Sequence, residues 1–330
     1  MSAFTENFNG HSRGMLWGLL SSLFIIFLII TIAGWYVSLE PDQFDVELAA
    51  LKRAKKTTLR QLPVGYTFAN SLAVIAETLL NKPGGYITND IAPPGIFLDN
   101  MANWEFGVLV MLRDSSAALR NHFSRSQSQS SEDPDLAKTE PYFNYENNSW
   151  ALPSSEAEYQ KGLNSLKSYL QRLGNRKQRR PAQFYARADN LRQYLEVVEK
   201  RLGALSSRLS ASTQRLQTSN LKRRNFTDAQ TPWLEIDDVF YEARGSAWAL
   251  VHILRGIEFD FKDILASKHA TETMHRVIRE LEHGLAPTWS PMILNGDGFG
   301  IFSNYSLTMA NYITRANAAT LDLRDIMMRG

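Results

Sequence analysis

No cysteine occurs among the 330 residues of this chain. Disulfide bonds, thiolate metal ligands and a cysteine nucleophile are therefore excluded. The absence suits an oxidising compartment, where an unpaired thiol is a hazard, although it is compatible with any location.

Neither sign of charge is in large excess. The chain has 36 Lys and Arg against 34 Asp and Glu, which gives a formal net charge of +2. A nucleic-acid-binding domain is expected to concentrate basic residues on one face, whereas the basic clusters here are short and local. We therefore expect no nucleic-acid partner.

Signatures of catalysis are also missing. The chain has no G-x-S-x-G or H-E-x-x-H motif, and Ser219-x-x-Lys222 lacks the K-T-G and S-D-N motifs of penicillin-binding enzymes. The NGDGFG loop that begins at Asn295 lacks the glycine spacing of a phosphate cradle and the acidic ligands of a calcium loop. We interpret this loop as a connector, and we predict no catalytic residue, cofactor or metal ion.

Two Glu-x-x-His pairs, Glu272 with His275 and Glu280 with His283, match part of the pattern of carboxylate-bridged metal bundles. Such sites need the two pairs on different helices and further glutamates from two others, whereas these pairs fall on one short predicted helix. The alternative to a domain without a catalytic or binding site is one with an enclosed pocket built from the His-bearing helices and the loop near Asn295. Its candidate residues are Glu242, His252, Glu272 and His275. A histidine at position 252 is more often a core residue whose nitrogens have partners than a catalytic base.

One long hydrophobic run stands out against these absences. The segment from Met15 to Val37 carries no charge, and about 20 apolar residues suffice for a helix to cross a bilayer. A cleaved signal peptide has a shorter apolar stretch that ends in small residues, so we predict an uncleaved single-pass anchor. Trp17, Trp35 and Tyr36 lie where the aromatic belt of a membrane protein is expected.

Gly14, Gly18 and Ser22 follow one another at intervals of four residues. This small-xxx-small stripe allows close approach of two membrane helices, which indicates a possible homo-oligomer.

A basic cluster follows the anchor and includes Lys52, Arg53, Lys55 and Lys56. A solvated helical face is the favoured interpretation of this cluster, and contact with acidic lipid headgroups is the alternative. Lys and Arg counts would place this side of the anchor in the cytosol, but long domains are translocated largely regardless of charge. The charges alone therefore leave the orientation open.

The remainder of the chain has helical periodicity and no convincing strand pattern, which predicts an all-α protein. We divide the whole chain into a short N-terminus (residues 1–14), the anchor (15–37), a membrane-proximal helical region with long loops (38–150) and a helical bundle (151–330). A capping box is predicted at Ser155 and Glu158, and residues 124–150 have no periodicity and are predicted to be a long loop or a boundary.

The strongest periodic pattern runs from Phe184 to Leu216 in alternating steps of four and three residues. Such a heptad repeat predicts a long helix of coiled-coil type with an apolar seam. A second long helix is predicted from a cap at Thr231 to Ile264. Their similar lengths favour an antiparallel hairpin of these two helices.

Several segments resemble a family of bacterial single-pass membrane proteins, the domain of unknown function 2333. The similarity lies in LDNMANWEFGVLV from Leu98, FSRSQSQSSEDPDLA from Phe123, SWALPSSEAEY from Ser149, QFYARADNLRQYL from Gln183, NGDGFG and NYITRANAA. The resemblance implies an envelope protein with its N-terminus in the cytoplasm and its domain in the periplasm. It implies no catalytic or binding residues.

From these observations we expect an inner-membrane protein whose periplasmic domain is a scaffold or interaction module for another envelope protein. The alternative is an envelope enzyme or lipid-binding protein that uses the pocket candidates above.

Overall fold

The computed structural model describes residues 3–125, 131–175, 180–211, 231–232, 235–287, 293 and 305–329, with the backbone alone for residues 3–14. In these ranges the chain forms eleven α-helices and no strand, which confirms the all-α prediction. The helices are α1 (Ala3–Val37), α2 (Val46–Ala54), α3 (Tyr66–Asn81), α4 (Asp99–Ala118), α5 (Leu136–Phe143), α6 (Ser155–Gly174), α7 (Ala188–Ala211), α8 (Ile236–Asp260), α9 (Lys262–Ser267), α10 (Thr271–Gly284) and α11 (Tyr305–Met328).

Several helix ends follow the local sequence. α3 ends before Pro83-Gly84-Gly85, where proline cannot continue the helix and both glycines have positive φ. The predicted cap of α6 is one residue out of place: Ser154 is the N-cap, and its hydroxyl accepts the N–H of Ala157. The hydroxyl of Ser155 instead donates to the carbonyl of Glu146, because Ser155 is buried inside the first turn.

The segment 124–150 contains a helix that periodicity did not reveal. α5 buries Leu136, Thr139 and Phe143, a single stripe too short to give a periodic signal. Arg113 donates to the carbonyl of Phe143 at the end of this helix, at 2.7 Å. The prediction of a continuous loop is therefore wrong for this part.

The long helices pair differently from the predicted hairpin. α7 packs antiparallel to α11, and Ser206 bonds to Thr314 at 2.5 Å. α8 packs parallel to α4, with Asn103 bonded to Asp238 near one end and Phe123 against Phe261 at the other. The predicted α7–α8 hairpin is wrong, because a heptad seam specifies an apolar face but not the helix that covers it.

Two of the predicted helix starts are also corrected. α7 begins at Ala188, and Phe184 precedes it and packs among Phe68, Phe123 and Phe261. α8 begins at Ile236 rather than after Thr231.

The bundle has two distinct ends. We call the end that carries the start of α4 the near end, because Leu98 there lies beside Gly34 of α1. At the far end, Asp260 of α8 accepts the N–H of Phe68 at the start of α3, at 2.7 Å. α8 has 25 residues, so the two ends are separated by about 38 Å at about 1.5 Å per residue.

Candidate functional site

α1 offers an apolar surface to its surroundings. Between Met15 and Val37 the most apolar stretch of 18 residues has a mean hydropathy of 2.5, and no part of it is buried in the domain. Phe24 and Trp35 are 65% and 69% exposed. The helix is thus long and apolar enough to cross a membrane.

The last turn of α1 packs directly on the domain. Gly34 is buried, and a Cβ there would lie 3.7 Å from Cβ of Pro94. Val37 lies over Gly84, where a Cβ would come within 2.6 Å of the valine Cγ1. Gly84 also has a φ of 83°, so the contact and the backbone both require glycine. The helix is therefore docked and not merely tethered.

Residues 39–45, which we call the strap, run without helical structure from α1 to α2. Glu40 at the start of the strap accepts hydrogen bonds from both Nε and Nη2 of Arg244 on α8, each at 2.7 Å. The same guanidinium donates to the carbonyls of Gly284 and Ala286. A bidentate pair of this kind fixes geometry as well as charge, so Arg244 joins the exit of α1 to the end of α10.

A second contact holds the other end of the strap. The N–H of Phe44 donates to Nε2 of His252 at 3.0 Å, and the two rings stack with centroids 4.0 Å apart. Because Nε2 accepts, Nδ1 carries the proton and donates to the carbonyl of Trp248 at 2.7 Å. Burial lowers the pKa of His252 to about 4, and the charge of Arg255 acts in the same direction. His252 is therefore neutral at physiological pH and has a structural role.

The distance between the two contacts on α8 matches the length of the strap. Arg244 and His252 are two helical turns apart on α8, about 12 Å along the axis. Glu40 and Phe44 are four residues apart in a chain without helical structure, which can span up to about 13 Å. The strap thus lies along α8, the helix that also packs on α4.

A buried ion pair organises the loop at residues 82–98, which contacts α1. Nζ of Lys82 lies 2.7 Å from Oε1 of Glu105, and neither side chain is exposed. Glu105 also accepts the N–H groups of Ile87 and Thr88, and Lys82 donates to the carbonyl of Gly85. Burial raises the pKa of Glu105, while Lys82 and these donors oppose the rise. One carboxylate therefore fixes both the start and the middle of the loop.

The four pocket candidates occupy separate surroundings. Glu242 pairs with Arg208 of α7 at 2.7 Å, and His252 is buried against the strap. His275 contacts Glu258, and Glu272 lies 3.7 Å from His275 with its side chain 87% exposed. The structure thus brings Glu272 and His275 together and leaves Glu242 and His252 apart from them.

The cavity enclosed by the C-terminal helices does not unite these residues either. This cavity of about 150 Å³ lies between α8, α10 and α11 and is lined in part by Phe240, Arg244, His283 and Tyr312. None of the four candidates lines it. Within the described ranges, no three His, Asp or Glu side chains are placed to hold a metal ion.

The other predicted residues are placed as follows. Lys52, Lys55 and Lys56 are exposed, whereas Arg53 bonds to Asn70 and Glu77 of α3, each at 2.5 Å.

The small-residue stripe of α1 lies in its first half. A Cβ on Gly18 would meet no atom within 4 Å, and Ser22 donates to the carbonyl of Gly18. Gly14 is described in its backbone alone. Ser219, Lys222 and the loop near Asn295 lie outside the described residues.

Sequence reasoning missed the groups that attach α1 to the domain. Arg244 and Glu40 are 204 residues apart, and no motif links them. Lys82 could have been suspected, since it precedes a Pro-Gly-Gly turn, but its partner Glu105 lies in an ordinary helical pattern.

A family model described as "Uncharacterized protein conserved in bacteria (DUF2333)" matches residues 10–330. No curated protein and no solved structure is detectably similar to the chain. The match covers most of α1, the strap and the whole helical domain, so the chain belongs to this bacterial family, the domain of unknown function 2333.

Proposed function

We propose that this protein is a single-pass protein of the bacterial inner membrane whose helical domain is an interaction or scaffold module of the cell envelope. α1 is the anchor, with the N-terminus in the cytoplasm and the domain in the periplasm. Membership of a bacterial family and the ease with which long domains are translocated support this arrangement.

The observation that carries the proposal is the double attachment of the strap to α8. Arg244 binds Glu40 and His252 binds Phe44, so the domain keeps one orientation relative to the anchor. A fixed orientation presents the same face of the domain to every neighbour at the membrane. An enzyme that acts on a freely diffusing substrate has no need of such a constraint.

The geometry supports this role better than an envelope enzyme or lipid-binding protein. That alternative requires Glu242, His252 and Glu272 to converge on one pocket, and they lie in separate surroundings. Both ring nitrogens of His252 are bonded to backbone groups, of Phe44 and Trp248, so neither is free to act as a base on a substrate.

Reporter fusions test the topology. Alkaline phosphatase fused after the last residue should be active in cells, and a cytoplasm-dependent fluorescent protein at the same place should be dark. The reverse result would place the domain in the cytoplasm and end the periplasmic proposal.

Crosslinking tests the scaffold role. A photoreactive residue at Lys200, which is exposed on α7, should capture the same envelope protein in repeated preparations from intact cells. Capture should persist in the variant Glu272→Gln, because no catalytic step is involved. A chain that never yields a reproducible neighbour or a second copy of itself from several exposed positions would contradict the role.

Two smaller proposals accompany the proposed membrane anchor. The stripe of Gly14, Gly18 and Ser22 mediates self-association in the membrane, and the exposed Lys52, Lys55 and Lys56 contact acidic headgroups. Gly18→Ile should reduce a crosslinked dimer, whereas Leu19→Ile on the adjacent face should not. An unchanged dimer fraction in Gly18→Ile would count against the stripe.

A further inference from the structure

Two loops at the near end carry large apolar side chains in solvent-exposed positions. In the first loop, Ile91, Ile96 and Phe97 are 61%, 55% and 70% exposed. In the second loop, at residues 144–154, Trp150 and Leu152 are 63% and 101% exposed. Residues 91–98 and 147–153 contain no charged residue. Exposed apolar clusters of this kind mark contact surfaces rather than ordinary solvated surface.

The two loops are fixed side by side. The amide of Asn89 donates to the carbonyl of Ser149 at 2.7 Å and to the carboxylate of Glu156 at 2.8 Å. The hydroxyl of Tyr86 donates to the carbonyl of Asn147 at 2.8 Å. The apolar side chains therefore form one surface, which we call the apolar rim.

The position of α1 sets the depth of the rim. A Cβ on Gly34 would lie 3.7 Å from Pro94 and 3.9 Å from Leu98, so both lie beside Gly34, which precedes Val37 by three residues, or about 4.5 Å along the helix. The first loop thus lies beside the last turn of the anchor, the turn that also carries Trp35. α6 begins at the same end, since Asn89 reaches Glu156, whereas Gly174 at its other end lies against Tyr66.

The backbone of the first loop suits a medium of low polarity. Pro93 and Pro94 have no N–H, and the N–H groups of Ile96, Phe97 and Leu98 donate to carbonyls within the loop. Unsatisfied backbone donors are what bars most loops from lipid. Here few remain.

We infer that the apolar rim is a second membrane contact, which inserts Ile91, Ile96, Phe97, Trp150 and Leu152 into the interfacial layer of the bilayer that α1 spans. The occupant is lipid because the first loop of the rim lies directly beside the exposed apolar surface of the anchor. The inference rests on the proposed anchor. It deepens that proposal by stating which face of the domain rests on the membrane.

The absence of cysteine makes a direct test possible. Single cysteines are introduced in the full chain at Phe97 and Leu152, and each is labelled with an environment-sensitive fluorophore. Two further positions serve as references: Phe24 in the middle of α1, and Val64, an exposed apolar residue at the far end (49% exposed). The labelled chains are reconstituted in vesicles of phosphatidylethanolamine and phosphatidylglycerol with spin-labelled acyl chains.

Labels at Phe97 and Leu152 should show blue-shifted emission that the spin-labelled lipid strongly quenches. The label at Val64 should be neither blue-shifted nor quenched. Quenching at Phe24 with water-like emission at both rim positions would overturn the inference and leave the anchor intact. Blue-shifted rim labels that lipid does not quench would show that protein covers the rim, which also overturns it. A Phe24 label that stays in water would defeat both the anchor and the rim.

Discussion

Arg244 and Glu40 form a bidentate ion pair across 204 residues of sequence, with the arginine side chain 6% exposed and the glutamate 23%. The pair joins Glu40, three residues after the end of α1, to α8. Movement of α1 relative to the bundle requires this pair to open. The pair is therefore the most direct test of the docked arrangement.

Arg244→Gln should destabilise the full chain in detergent by about 3 kcal/mol, because breaking a largely buried pair leaves a carboxylate and several carbonyls without donors. Urea unfolding followed by circular dichroism measures the loss. The matched control is Arg276→Gln, whose pair with Asp322 has side chains 47% and 58% exposed. That control should cost less than about 1 kcal/mol. Equal losses in the two variants would contradict the structural role of Arg244.

Lys82→Met should cost about 3–5 kcal/mol, since it leaves the carboxylate of Glu105 buried with no counter-charge. Adding Glu105→Gln should recover part of the loss, because the amide oxygen still accepts backbone N–H groups and carries no charge. The urea midpoints of wild type, both single variants and the double variant give the coupling. A double variant less stable than Lys82→Met would argue against a charge-dominated effect.

The same variant has a predictable pH dependence. Burial raises the pKa of Glu105, and loss of Lys82 removes the charge that opposes this rise. A group with a raised pKa in the folded state destabilises that state as pH rises. The deficit of Lys82→Met relative to wild type should therefore shrink from pH 8 towards pH 5, and a deficit that grows on acidification would contradict this account.

Much of the helical framework was predictable because its causes are local. The apolar run of α1 and the periodic stripe of α7 each depend on neighbouring residues, and the structure confirms both helices. α5 escaped prediction because eight residues give too short a periodic signal.

The unpredicted features depend on residues far apart in the chain. The seam of α7 was identified but assigned to α8 instead of α11, since any apolar face of similar width could cover it. The contact of Phe44 with His252 spans 208 residues, and a lone histidine in a helix is typical of many environments. A side chain's chemistry shows that it needs a partner, but not which one.

His252 should make the protein sensitive to acid. Its pKa in the folded state is lowered to about 4 by burial, so the folded protein binds fewer protons than the unfolded chain between about pH 4 and 6.5. The contribution of His252 to the free energy of unfolding is fully present above about pH 6.5. It is lost as pH falls towards about 4, by up to about 3 kcal/mol. His252→Gln should flatten this part of the pH profile.

The test of His252 needs the difference between variant and wild type. Burial raises the pKa of Asp260 to about 7, which gives a slope of opposite sign over much of the same range. Subtracting the two urea-unfolding profiles removes the contribution of Asp260. An unchanged profile in His252→Gln would show that His252 does not titrate with unfolding.

Gly107 and Gly245 allow α4 and α8 to touch backbone to backbone. A Cβ on Gly245 would lie 2.0 Å from the carbonyl oxygen of Trp104, and one on Gly107 would lie 2.1 Å from that of Glu242. Backbone atoms cannot give way as a flexible side chain can, so Gly245→Ala should cost about 3 kcal/mol or more. Gly203→Ala is the control, because its nearest neighbour, Nδ2 of Asn317, would be 3.5 Å away. Alanine loses less backbone entropy than glycine when a helix forms, so Gly203→Ala should be more stable by about 0.5–1 kcal/mol. The thermal midpoints of the two variants should therefore shift in opposite directions. A shift in the same direction would contradict the close crossing of α4 and α8.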